Sequence, residues 1–193
     1  MNTRRIEGAL VFLEEAERLK SVLRSSHTTT GRQESTAEHT WRLCLMVMVF
    51  ERELEGIDVA RLLKICVLHD LGEAIHGDIP AVAQGNAAKG GADKSTQERE
   101  DLLTLMHALD HELRDEFLAL WDEYEQASSP EARLAKGFDK LETLLQHSQG
   151  KNPADFDYAF NLEYGQRYTA EPPLLAGIRA QLDEKTRYRV QHG

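Results

Sequence analysis

Four residues in this chain carry side chains suited to holding a metal ion: His39, His69, Asp70 and Asp139. His69 and Asp70 directly follow the apolar run Ile65-Cys66-Val67-Leu68. A core helix rarely carries two adjacent polar residues unless both have partners. His39 falls in the first turn of a second very apolar segment, and Asp139 lies on a stretch whose apolar face is Leu134, Phe138, Leu141 and Leu145. Two imidazoles and two carboxylates suit a borderline or hard divalent cation such as Mn²⁺, Fe²⁺, Co²⁺ or Zn²⁺. Four protein ligands on an octahedral ion leave positions for water and a phosphate oxygen. Taken singly, each residue has an ordinary explanation, a hydrogen-bonded core histidine or a solvated helix carboxylate. It is the joint pattern that points to a metal.

The elements that must position these residues read as helices. Ile6, Leu10, Leu13, Ala16, Leu19 and Leu23 recur at three- and four-residue steps, which predicts a helix over about 4–23. Ser25 to Gly31 is small and β-branched and reads as a loop. Ser35-Thr36-Ala37-Glu38 is a capping box, so a helix starts at Ser35 and runs to about Glu55; its middle, Leu43 to Phe50, is apolar all round and reads as buried. Gly56 ends it, and Asp58 caps a further buried helix that stops near His76-Gly77, with Pro80 blocking continuation. Residues 81–94 read as a surface loop. Further helices are expected over about 95–109, 111–126, 130–149, 154–168 and 174–187, with Ser129-Pro130 and Asn152-Pro153 as N-cap and first-turn proline pairs. No alternation typical of strands stands out, so the fold class is all-α, a bundle of about seven to eight helices.

Composition narrows the class. The chain has 193 residues, 41% hydrophobic and 29% charged, the profile of one soluble domain. At that size roughly 70% of the extended surface is buried on folding. Lys and Arg total 23 against 33 Asp and Glu, a net charge of −10, which disfavours a nucleic-acid polymer as partner. The longest apolar run, Leu43 to Phe50, falls far short of the ~20 residues that span a bilayer, so no membrane partner is expected. The N-terminus lacks an apolar signal segment. The two cysteines, Cys44 and Cys66, read as reduced core residues of a cytoplasmic protein.

Three blocks of sequence resemble the HD-domain metal-dependent phosphohydrolases, and more narrowly their 5′-deoxynucleotidase-like branch. They are Ser35-Thr36-Ala37-Glu38-His39-Thr40-Trp41-Arg42, then the run from Val67 through His69-Asp70-Leu71-Gly72-Glu73 to Pro80, then Phe138-Asp139-Lys140-Leu141-Glu142. The resemblance spans about Leu19 to Gln146. It implies one HD domain over 1–193, with a motif-bearing core at about 19–150 and C-terminal helices over 151–193 packed on it. It also implies a single divalent metal (Mn, Co, Fe, Zn or Mg), hydrolysis of a phosphomonoester, and a homodimer. By position, His39, His69, Asp70 and Asp139 would be the metal ligands, Glu73 and Asp78 the catalytic acidic pair, and Arg24 the arginine contacting substrate phosphate.

The residues agree with that assignment on several points. Glu73 lies three residues after Asp70 and four after His69, on the same face of a continuous helix. There it could hold or deprotonate water acidified by the cation. Asp78, after Gly77, could protonate the leaving 5′-oxygen or orient water; the sequence does not divide those roles. A guanidinium at Arg24 can hold phosphate oxygens in pairs. One departure stands out. The branch carries an aromatic after this arginine that helps exclude a ribose 2′-hydroxyl, and here Ser25 stands in its place, with His27 or Arg32 as possible substitutes. Glu38 is accounted for by the capping box, Trp41 and Arg42 by packing and an ion pair, and His76 by its place at a helix end. His107 and His111 are separated by the capping Asp110.

The sequence thus predicts a cytoplasmic divalent-metal-dependent phosphomonoesterase. Its partner is a small phosphorylated substrate, best a nucleoside or deoxynucleoside 5′-monophosphate. Two alternatives stay open: a regulatory module that binds metal and nucleotide without turnover, and a di-iron HD-fold oxygenase, which needs more histidine ligands, with only His76 nearby.

Overall fold

The computed structural model describes residues 3–78 and 91–192. Seven helices of ten or more residues dominate these. In chain order, α1 is Thr3–Ala16, followed by a 3₁₀ turn at Glu17–Lys20. Strands β1 (Leu23–His27) and β2 (Gln33–Ser35) come next, then α2 (Thr36–Val49), α3 (Val59–Leu68), a single turn α4 (Glu73–His76), α5 (Gly91–Leu105) and α6 (His111–Gln126). The chain continues with α7 (Pro130–Gln149), a 3₁₀ turn at Ala159–Leu162, the short α8 (Gln166–Thr169) and α9 (Pro173–His192). The predicted loop over 81–94 falls outside the described residues up to position 90, and 91–94 are helical.

Helix α7 is the axis of the bundle. Leu134, Ala135, Phe138, Leu141 and Leu144 are buried along it, and α2, α3, α6, α8 and α9 pack around it. Three N-caps act as the sequence predicts: Ser35, Asp58 and Ser129 each accept a backbone N–H in the first turn of α2, α3 and α7. Asp110 does the same for α6. Cys44 and Cys66 are free thiols. Among the described residues, no helix is long and apolar enough to cross a membrane.

Several expectations are corrected. The segment read as the end of helix one and a loop is an antiparallel strand pair, pairing Leu23 with Ser35 and His27 with Gln33. The small β-branched residues there extend the backbone, but in pairs too short to give an alternating pattern. The stripe Ile6, Leu10 and Leu13 is exposed on α1, and Phe12 is the residue it buries. Helix α2 ends at Val49 and is not apolar-buried all round: Leu43, Met46 and Val47 face the core, while Leu45, Met48, Val49 and Trp41 are exposed, Trp41 by 65%. Asn152-Pro153 caps no helix. Asn152 instead donates to the His147 carbonyl and the Tyr158 hydroxyl, and the expected helix over 154–168 is two short turns.

The helix predicted to run to His76 breaks after Leu68. His69 to Gly72 form turns, and α4 restarts at Glu73. Gly72 sits where a Cβ would come within 2.7 Å of the Glu98 carbonyl oxygen, so α4 can approach α5 this closely only with glycine there. Gly77 closes α4 at φ +88°, a conformation that favours glycine, and so turns the chain at Asp78.

Candidate metal centre and substrate cleft

Three packed elements bring the predicted ligands together. The capping box starts α2 so that His39 lies in its first turn, fully buried. The break after α3 presents His69 and Asp70, and α7 carries Asp139. Single ligand atoms of His39, His69 and Asp70 all lie within 4.8 Å of one another. His39 Nε2 is 3.2 Å from Asp139 Oδ1 and 3.8 Å from Asp70 Oδ2, and His69 Nε2 is 3.0 Å from Asp70 Oδ2. The two imidazole centroids are 5.6 Å apart.

The arrangement of protons and lone pairs fits a cation. The Nε2 atoms of His39 and His69 are both buried and lack a hydrogen-bond partner. Their Nδ1 atoms are engaged elsewhere, His39 with Glu142 and His69 with the Cys66 carbonyl at 2.8 Å. A ring that donates from Nδ1 in its neutral form presents a bare lone pair at Nε2. Such a lone pair beside a carboxylate oxygen is repulsive unless a proton or a cation lies between them. Asp139 is oriented in the same sense. Its Oδ2 accepts from the Tyr124 hydroxyl at 2.9 Å and from Lys140 at 2.7 Å, which leaves Oδ1 toward His39. The donor set of imidazole nitrogen and carboxylate oxygen suits a borderline or hard divalent ion.

Charge tells the same story. Burial and Arg24 both oppose a proton on His39, yet Glu142 and Asp139 outweigh them and push its pKa up to about 10. Against burial, His69 and His39 hold the Asp70 carboxyl below the usual range, and Lys140 and His39 do so for Asp139. The converging carboxylates therefore favour a positive charge among them.

Beside this centre lies a cleft of about 390 Å³, lined by His69, Asp70 and Asp139 together with Glu73, Asp78 and Arg24. The helix break changes how Glu73 gets there. It is the first residue of α4 rather than one more turn of α3, and its Oε2 accepts from Thr36 at 3.1 Å. Burial, then the charges of Asp70 and Asp78, push the Glu73 pKa up to about 9; burial also raises that of Asp78, against the pull of Arg24.

Arg24 reaches the cleft from β1. One amino group lies 3.5 Å from Asp70 Oδ2, and the other donates to Thr143 Oγ1 at 3.2 Å. Its Nε is buried, unpaired and 3.7 Å from Glu34. The lining also includes Lys94, Lys136, Lys140, Tyr164 and Phe160. Ser25 lines the cleft as well, whereas His27 and Arg32 do not; Arg32 is bound to Glu38 outside it, at 2.7 Å. His76 pairs with Asp101 at 2.7 Å, is largely exposed and does not line the cleft, so it supplies no further ligand there.

Sequence reasoning missed Glu142, Tyr124, Lys140 and Thr143. Lys140 and Glu142 lie inside the third motif block, so proximity to Asp139 was a usable signal. Tyr124, on another helix, gave none.

The profile of the HD domain family matches residues 16–175. A Danio rerio protein named 5′-deoxynucleotidase HDDC2 is 33% identical over 195 residues, covering 97% of this chain and 93% of its own. The Homo sapiens protein of the same name is 34% identical, covering 72% of this chain and 67% of its own. A crystal structure described as a predicted metal-dependent phosphohydrolase from Magnetospirillum magnetotacticum superposes with a TM-score of 0.78 at 29% identity, over 95% of this chain and 93% of that one.

Proposed function

Because the chain belongs to the HD domain family, we propose that it is a divalent-metal-dependent phosphohydrolase that cleaves a nucleoside or deoxynucleoside 5′-monophosphate. The observation that carries this reading is the pair of buried, unpartnered Nε2 atoms on His39 and His69 beside the Asp70 and Asp139 carboxylates. These four residues would hold the ion, which supplies charge neutralisation at the phosphate and acidifies water. The relatives' name, 5′-deoxynucleotidase, supports the substrate class.

The remaining steps belong to side chains of the cleft. Arg24 binds and orients the phosphate, its guanidinium already fixed by Thr143 and Asp70. Glu73 and Asp78, which line the same cleft, supply both halves of the acid–base work. One carboxylate takes the proton of the attacking water, and its partner delivers one to the departing 5′-oxygen as the P–O bond breaks. Neutralising Asp70 removes one of the charges that raise the Glu73 pKa and brings it toward the working range. Ser25 lines the cleft where the branch it resembles carries an aromatic, and on this reading a ribose is accepted alongside deoxyribose.

We read residues 1–193 as one domain of a cytoplasmic homodimer. The exposed apolar side chains Trp41, Leu45 and Met48, one turn apart on α2, support a second copy docking there.

The test is phosphate release from a panel of phosphomonoesters with Mn²⁺- or Co²⁺-loaded protein. Activity on 5′-monophosphates, lost with chelator and in Asp70→Ala, is expected. Tight nucleotide binding with no release would favour the regulatory module instead.

A further inference from the structure

Glu142 is fully buried and does not line the cleft beside the metal centre. One of its oxygens, Oε2, meets Nδ1 of His39; the other, Oε1, accepts from Nε of Arg42 at 2.6 Å and forms an ion pair with that guanidinium.

We infer that Arg42 and Glu142 form a positioning relay that fixes the proton of His39 on Nδ1 and so keeps Nε2 bare for the metal. The logic is in the donor inventory. A guanidinium only donates, so Oε1 of Glu142 is committed to Arg42. A carboxylate only accepts, so Oε2 can pair with His39 only if Nδ1 carries the proton. The orientation of the ring and its tautomer are therefore dictated from the surface inward, through a residue that touches neither metal nor substrate. This rests on the metal-centre reading above.

The chain of donors makes a sharp prediction for Glu142→Gln. Arg42 claims the amide oxygen, which turns the amide NH₂ toward His39. The ring must then accept at Nδ1 and place its proton on Nε2, where it blocks coordination. Removing Arg42 as well, in Glu142→Gln/Arg42→Met, frees the amide to rotate and accept from Nδ1–H. The second substitution should thus restore what the first destroys.

Co²⁺ binding, followed by its visible absorption, reads this directly. Relative to wild type, affinity should fall by about 10–100-fold in E142Q, and the double variant should bind more tightly than E142Q. A double variant no tighter than E142Q would overturn the relay, as would E142Q binding equal to wild type. Wild-type protein that takes up no Co²⁺ would instead overturn the metal centre and the relay together. Should E142Q fail to fold, nitrogen NMR of the wild-type Zn²⁺ form decides: a proton on Nδ1 of His39 is expected, and metal on Nδ1 would refute it.

Discussion

Tyr124, on α6, donates its hydroxyl to Oδ2 of Asp139, on α7, across 2.9 Å, and both side chains are buried. With Lys140 on the same oxygen, Asp139 is left one free oxygen, Oδ1, on the side of His39. Tyr124 also packs its ring edge-on to His69, centroids 5.1 Å apart, so one aromatic braces two of the four proposed ligands. Tyr124→Phe keeps the packing and removes the hydroxyl. Metal affinity should drop by about tenfold, with a loss of stability of about 1 kcal/mol. Metal titration and thermal denaturation measure the two effects, and an unchanged affinity would show that Asp139 needs no such brace.

Glu73→Gln separates chemistry from binding. The amide oxygen can still accept from Thr36, so the local structure should survive. The group can no longer take or give a proton. The turnover number should fall by roughly 10²–10⁴-fold, while Co²⁺ affinity stays at the wild-type value. Steady-state kinetics beside a metal titration would check this. A variant that loses metal instead of turnover would make Glu73 a ligand.

Arg24 distinguishes a planar clamp from a point charge. Its two amino groups are directed by Thr143 and Asp70, an arrangement an ammonium group cannot reproduce. Arg24→Lys should therefore retain only part of the activity. Arg24→Ala should lose on the order of 100-fold or more in kcat/KM. Equal kcat/KM in both variants and wild type would remove Arg24 from the phosphate site.

Helix content, capping and the cluster of ligand-type residues were legible in the sequence because each is a local or near-local signal. Ser35 and Glu38 identify the start of α2 within four residues, and they do form the box. What was not legible depends on tertiary packing. The strand pair carrying Arg24 has only one residue, Ser26, clearly buried on β1, too little to impose a period. The break at His69–Gly72 is set by the approach of α4 to α5 at Gly72, a contact between distant segments. The outward face of α2 looks like core in one dimension because Leu45 and Met48 are as apolar as Leu43 and Met46. Glu142 looked like any helix carboxylate until its partners, about a hundred positions earlier, were known.

The capping box also gives a pH signature remote from the site. Arg32 first, then the Ser35 backbone N–H, hold the Glu38 carboxyl at about 2, against an ordinary value of 4.5. Because the folded value is the lower one, the charged form stabilises the fold above about 4.5, and this contribution is lost as pH falls through 2. The pair is exposed, so solvent screening keeps the effect small. Wild type should melt slightly above Glu38→Gln at neutral pH, and the gap should close in that acid window. A gap that persists below pH 2 would mean the charge is not its source.

The central claim is that one cation sits among His39, His69, Asp70 and Asp139. Crystals of the Co²⁺-loaded protein, measured at the cobalt absorption edge, test it most directly. The account predicts one anomalous peak in contact with Nε2 of both histidines and with oxygens of both aspartates. A peak elsewhere, or a filled cleft with those nitrogens still unliganded, would contradict it.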